Sequence, residues 1–259
     1  MIMRTKLYFC AFTLCLIFAG TISAQTTDQP RTEFEVRGYY SIPTGETKFS
    51  TTTSVGDTIS FGRDVDFGNE LGYEVRFSHR TQSAKHKFLA EYTDNNWERS
   101  RTLSRSFTFL GQTYLANLQT SSELKLRTFR AMYAYRWGNE KIRFGPMFDM
   151  GVITTRLEFN GATNTGTRSS EGKITKFAAT VGYDLEYNVT PNVNLFNNLG
   201  WIKFKRDNLF HIEGGVKYFP ATHFGVSGGY KFQRYKLEDN DNFLTVRANG
   251  PFAGGVVRF

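Results

Sequence analysis

Along most of this chain apolar and polar residues alternate one by one, in segments of about ten residues broken by turn-forming stretches. The first clear segment is Glu33 to Ile42. Phe34, Val36, Gly38, Tyr40 and Ile42 share one face, while Glu33, Glu35, Arg37, Tyr39 and Ser41 share the other. A period of two is the signature of a β-strand with two unlike faces. The pattern returns in Leu71 to Arg80, Lys85 to Asn95, Glu123 to Arg136, Lys141 to Phe159 and Lys173 to Val189. It continues in Val193 to Lys203, Asn208 to Phe219, Phe224 to Leu237 and Phe243 to Phe259. This predicts about ten strands. Eight or twelve also fit, according to how a small hairpin around Gly111 and the stretch Thr58 to Phe61 are counted.

The connections fall into two classes. Thr81 to Ala84, Trp137 to Glu140, Thr190 to Asn192 and Pro220 to His223 read as short turns, whereas Pro43 to Glu70, Asn96 to Ser122 and Gly161 to Gly172 read as long loops. Short and long alternate until Phe204 to Asp207, which is no longer than a turn. Barrels of bacterial outer membranes have short periplasmic turns and long extracellular loops. The expectation is therefore an all-β, antiparallel up-and-down transmembrane β-barrel with both termini on the periplasmic side.

Alternation alone does not say which face meets lipid, since a soluble barrel alternates in the opposite sense. The aromatic positions decide it. Phe34, Tyr135, Phe144, Tyr187, Tyr218 and Phe224 sit on the apolar faces near the short turns, and Tyr40, Tyr73, Tyr92, Phe177 and Trp201 near the other ends. Two such bands match the interfacial girdles of a membrane barrel. Composition agrees: 16% aromatic residues, 25 Phe, 13 Tyr and 24 Gly against six Pro, with a mean hydropathy of −0.40.

The N-terminus reads as an export signal. Arg4 and Lys6 precede an apolar run, Leu7 to Ile22, that closes on Ile22-Ser23-Ala24. This is the order of charged region, apolar region and small-residue cleavage site. The expected organisation is residues 1–24 as a cleaved signal, 25–32 as a short lead and 33–259 as one barrel domain. Cys10 and Cys15 both fall in the signal, so the mature chain would hold neither a disulfide nor a thiolate metal site. Losing Arg4 and Lys6 lowers the formal charge from +8 to about +6. That excess is spread out and argues against a nucleic-acid site.

The chain closes on Gly254-Gly255-Val256-Val257-Arg258-Phe259. This resembles the terminal signal of bacterial outer-membrane barrels, an aromatic end with alternate apolar residues, here Phe259 and Val257. The resemblance is to small outer-membrane proteins of the OmpA-domain and OmpW-like, porin-like kind. It implies export to the outer membrane, contact with its lipid and lipopolysaccharide, handling by periplasmic chaperones and the barrel-assembly machinery, and a monomeric barrel.

The inner face collects the candidate functional residues: Arg37, Glu74, Arg76, Lys87, Glu91, Arg130, Arg143, Asp149, Lys176, Asp184, Glu186, Glu213, Lys217 and Lys231, with Glu33, Glu35 and Arg136 beside them. They could line a path for small polar solutes. They could equally form an ion-paired plug, since barrels near eight strands have interiors just filled by side chains. The plug, or a very narrow pore, is the expectation. Its alternatives are a barrel whose loops bind a ligand or surface, and an enzyme.

Catalysis is not expected. His79, His86 and His223 lie by short turns, while His211 is placed near the outer rim beside Glu213 with no nucleophile at hand. No cofactor is expected. Asp57, Asp64, Asp66 and Glu70 fit no metal motif. The sequon Asn188-Val189-Thr190 falls at a turn assigned to the periplasm.

Overall fold

The computed structural model describes residues 31–239 and 241–259. The expected signal, 1–24, lies outside the described residues, as does most of the lead. Among the described residues ten long strands form one antiparallel meander. They are β1 (Thr32–Lys48), β2 (Glu70–Arg80), β3 (His86–Thr102), β4 (Gln119–Tyr135), β5 (Ile142–Thr163), β6 (Gly166–Thr190), β7 (Val193–Phe204), β8 (Asp207–Tyr218), β9 (Phe224–Asp239) and β10 (Asn242–Arg258). Each pairs with its sequence neighbour, and β10 pairs with β1, from Glu33 opposite Arg258 to Lys48 opposite Phe243. The ring is closed and leaves no open sheet edge.

The predicted strands are all present, but several run further from the short turns than the alternation suggested. β1 continues to Lys48, and β3 to Thr102. The expected loop Gly161 to Gly172 is strand apart from a tight turn: β5 reaches Thr163 and β6 starts at Gly166. Those two strands have 22 and 25 residues, whereas about 9–11 tilted residues cross a bilayer. Roughly half of this hairpin therefore stands beyond the membrane.

The two remaining long connections are ordered and fold over the barrel mouth. In the first, Ile59–Ser60 pairs with β1, and one helical turn follows, Phe61–Val65. Asp66 then takes a left-handed conformation (φ 57°) that reverses the chain. In the second, Phe107–Phe109 pairs with Gln112–Tyr114 around Gly111, which has φ 77° and so favours glycine. The hairpin anticipated at this glycine is thus formed, and its second strand bonds the end of β5 at Thr163.

Near the short turns the outer wall is apolar. Phe77, Phe88, Phe129, Phe144, Phe148, Met150 and Val226 are exposed there. Both aromatic bands point outward as expected, with Tyr40, Phe144, Phe177, Trp201, Tyr218 and Phe224 each 47% exposed or more.

Candidate functional site: the barrel interior

Inside the lower half, nearest the short turns, the sheet register sets charges of opposite sign side by side around the ring. Glu35 on β1 lies opposite Arg76 on β2, Arg76 opposite Glu91 on β3, and Glu91 opposite Arg130 on β4. Arg37 lies opposite Glu74, and Glu213 on β8 opposite Lys231 on β9. Directly opposed residues on one face of a sheet touch. Because the ring is narrow, these side chains also meet across it.

Arg37 bridges Glu35 (2.5 Å), Glu213 (2.8 Å) and Glu74 (3.2 Å). Arg76 reaches Glu213 (2.7 Å) and Glu91 (2.9 Å). Glu91 also holds Arg130 (2.9 Å) and Lys231 (3.0 Å), and Lys231 bonds Glu74. Every one of these side chains is 10% exposed or less, so each charge depends on its partners, because a buried charge left unpaired is strongly unfavourable. The Arg37 guanidinium also lies 4.2 Å from the Phe252 ring centre and 5.4 Å from that of Phe196, a cation–π seat.

A second cluster fills the end next to the short turns. Glu33 takes Arg80 and Lys217, both at 2.6 Å. Glu186 takes Arg136 (2.7 Å) and Lys87 (2.8 Å), and Asp184 takes Lys87 (2.9 Å). The cavity among these residues measures about 20 Å³, the room of one water.

Of the fourteen inner-face candidates, twelve enter these two clusters. Arg143 is half-buried and lies in register with Glu186. Lys176, also half-buried, lies higher, one inward position below Ile174. Arg80 joins the second cluster from outside those fourteen, and its parity with Glu74, Arg76 and Ser78 on β2 is the signal that places it on the same face.

His211 departs from expectation. It is 3% exposed and sits inside the wall, not at the outer rim, with Nε2 3.5 Å from Asp149 Oδ2. Glu213, its expected partner, is bound to the arginines instead. Leu209, His211 and Glu213 share the inward face of β8, and Gly200 opposite His211 leaves the room that its ring fills. Asp149 is shared with Arg130 (3.3 Å) and the Thr180 hydroxyl (3.1 Å).

Glu74, Glu91 and Glu213 bring carboxylate oxygens within 4.8 Å of one another, a spacing that could hold a cation. Arg37, Arg76, Arg130 and Lys231 already supply that positive charge. Two of the acids singled out in the first long connection, Asp57 and Asp64, are likewise engaged. Asp64 accepts from Arg105 (2.7 and 2.9 Å) and from the Ser60 amide (2.8 Å), and Asp57 accepts from the Thr108 amide (2.7 Å). Burial opposes the charge on Asp64, but hydrogen bonds from Arg105, Arg63 and Ser60 outweigh it and hold its carboxyl well below the usual range.

Above the ions the interior changes character. Trp97, Leu124, Leu126, Ile153, Leu157, Phe159, Leu237, Leu244 and Val246 turn inward from the upper strands and form one apolar core. The folded-in connections complete it. Phe107 and Phe109 pack edge-on to Phe159 at 5.0 and 4.9 Å, Phe49 meets Phe109 at 5.4 Å, and Ile59, Phe61 and Val65 are fully buried. The Trp97 indole N–H donates to the Ser41 carbonyl (2.9 Å). This core was not anticipated.

A closed ten-stranded meander with an apolar outer band is the fold of bacterial outer-membrane β-barrels. One solved structure supports this fold, and others match more loosely. The outer membrane protease OmpT of Escherichia coli matches with a TM-score of 0.54 at 11% identity, over 93% of this chain and 100% of that one. Ail, the attachment invasion locus protein of Yersinia pestis, matches with a TM-score of 0.38 at 11% identity, over 88% and 99%. An outer-membrane channel from Pseudomonas putida F1 matches with a TM-score of 0.39 at 11% identity, over 92% and 100%. No protein-family model and no curated protein sequence matches. At these identities the likeness concerns the fold, and the protease activity named for OmpT is said of OmpT.

Proposed function

We propose that this chain is an exported, sealed barrel of the bacterial outer membrane that carries an ordered extracellular structure, and that it works as a structural or surface-presenting element instead of a solute pore. The observation that carries this reading is double closure. Ion pairs fill the lower interior, and an apolar core containing Trp97, Phe107 and Phe159 fills the upper. A hydrated ion would have to displace paired charges below and then cross hydrocarbon-like packing above, which is costly at both steps. The inner-face residues from Arg37 to Lys231 are then a plug and not a conduction path. Val257 and Phe259 serve as the mark read by the assembly machinery, so Phe259→Ala is expected to lower the folded yield in the outer membrane.

Planar-bilayer recording tests the closure. The folded protein is expected to be electrically silent. Arg76→Ala and Glu91→Ala are expected to stay silent as well, because the apolar half remains shut. Stepwise openings of the unaltered protein whose size changes in either variant would establish transport and overturn the reading.

A further inference from the structure

The outer wall carries a feature that the sealed interior does not explain. Arg234 on β9 and Arg247 on β10 are directly opposed in the sheet, and both point outward. Like charges in that position repel. Among the described residues neither has an ion pair, and Arg234 Nε is buried without a hydrogen-bond partner. With Trp201, Asn208, Phe210 and Phe232 they line an open pocket of about 390 Å³.

The height of the pocket in the wall identifies what surrounds it. Outward positions on β9 run from Phe224 through Val226, Tyr230 and Phe232 to Arg234. Ten residues at roughly 3.3 Å each, tilted by about 40°, rise roughly 25 Å, the height of a barrel's apolar band. On β10 the ten steps from Val257 to Arg247 give the same rise. The two guanidiniums thus stand at the upper edge of the band, where outer-leaflet lipids carry their headgroups, with the Phe232 ring one outward position below Arg234 and the Phe210 and Trp201 rings beside Arg234 in the same register row. One acid close by, Glu238, is taken by Lys236 (2.8 Å) and Arg206 (3.8 Å).

We infer that Arg234 and Arg247 form a seat for a phosphate carried by an outer-leaflet lipid, with the Trp201, Phe210 and Phe232 rings receiving its chains. Two planar guanidiniums with free donors suit a phosphate's several oxygens. The bound anion removes the repulsion between them. This inference does not depend on whether the interior conducts.

Binding to the folded full chain in detergent tests it, using phosphorylated lipid A, dephosphorylated lipid A with the same chains, and inorganic phosphate. The phosphorylated lipid is expected to bind saturably, and the Arg234→Gln/Arg247→Gln protein to bind it about tenfold more weakly or worse. Arg168→Gln, an exposed arginine elsewhere on the wall, is expected to change nothing. Equal binding by the double variant, or by the dephosphorylated lipid, overturns the proposal. So does displacement by inorganic phosphate at equal concentration, which would indicate a site for the free anion. Relief of repulsion favours folding of the double variant. Should it fail to fold, the exposed Arg247→Gln alone carries the test: a smaller loss in the same direction supports the seat, and no loss overturns it.

Discussion

On β4, Phe129, Ala131 and Tyr133 face outward, while Arg130 and, just past the strand's end, Arg136 face in. A few residues toward the outer end of the same strand, Glu123, Lys125 and Arg127 face outward, while Leu124 and Leu126 are fully buried inside. β5 does likewise: Phe148, Met150 and Val152 outside below, Ile153 and Leu157 inside above with Arg156 and Glu158 outside. β9 and β10 repeat the inversion. The backbone keeps its period of two, yet the meaning of each parity reverses where the surroundings change from lipid to water. Below that level the barrel is inside out by the standard of soluble proteins; above it the barrel is built like one. The contrast teaches that one strand can satisfy two solvents if its polarity switches phase once.

Exchanging residue types between the halves should break this arrangement most severely. Leu126→Glu puts an unpartnered carboxylate into the apolar core, where isolated charge is costly by more than about 5 kcal/mol. The expected outcome is a barrel whose lower half folds but whose upper half is open to protease. Resistance equal to the parent protein would refute the two-solvent account. Next in size, Glu91→Ala strands Arg76, Arg130 and Lys231 and should destabilise by about 3–5 kcal/mol, read from unfolding in detergent. Leu157→Ala removes packing but no charge, and about 3 kcal/mol is expected from the same measurement.

Asp64 sharpens the comparison from the mouth. Its carboxyl is held below the usual range in the folded chain, so its contribution is complete above the ordinary carboxylate range and disappears as pH falls through the lower folded value. Protease sensitivity of the first long connection should therefore rise in strong acid, and Asp64→Asn should show that sensitivity already at neutral pH. An identical pH response in the variant would exclude Asp64 as its source. The smallest effect belongs to Arg127→Ala, which removes an exposed ion pair with Asp94 (3.1 Å) and should shift stability by less than about 0.5 kcal/mol.

The same inversion sets how much was legible in the sequence. The lower half was readable because apolar parity and aromatic ends agree there: Phe34 and Tyr40 point out, and Glu35 and Arg37 point in. Parts of the upper half, such as Asn96 to Thr102, read as loop because an apolar residue there, Trp97, falls on the face assigned to the lumen. The polar outward run from Gly161 to Gly172 reads as a solvated connection for the same reason. Charge pairing within the lumen could be foreseen as a class. The particular partners, such as Arg37 with Glu213 across 176 residues, require the ring closure that only register and diameter define. The depth of His211 is not written in the alternation, because it depends on Gly200 opposite, where a Cβ would come 2.2 Å from the imidazole.

The tall β5–β6 hairpin has a consequence for the order of events in biogenesis. Arg156, Glu158, Arg168 and Glu171 on its upper outer surface have to reach the far side of a bilayer whose midplane penalises arginine and lysine by about 2–4 kcal/mol each, and acids somewhat less. A hairpin exported through lipid would meet all of those barriers nearly at once. Passage through the nascent barrel's own interior avoids them, provided that Arg37, Arg76 and Glu213 have not yet locked together. A plug already closed would block that path, so these charges favour an order in which the hairpin crosses before Arg37, Arg76 and Glu213 pair.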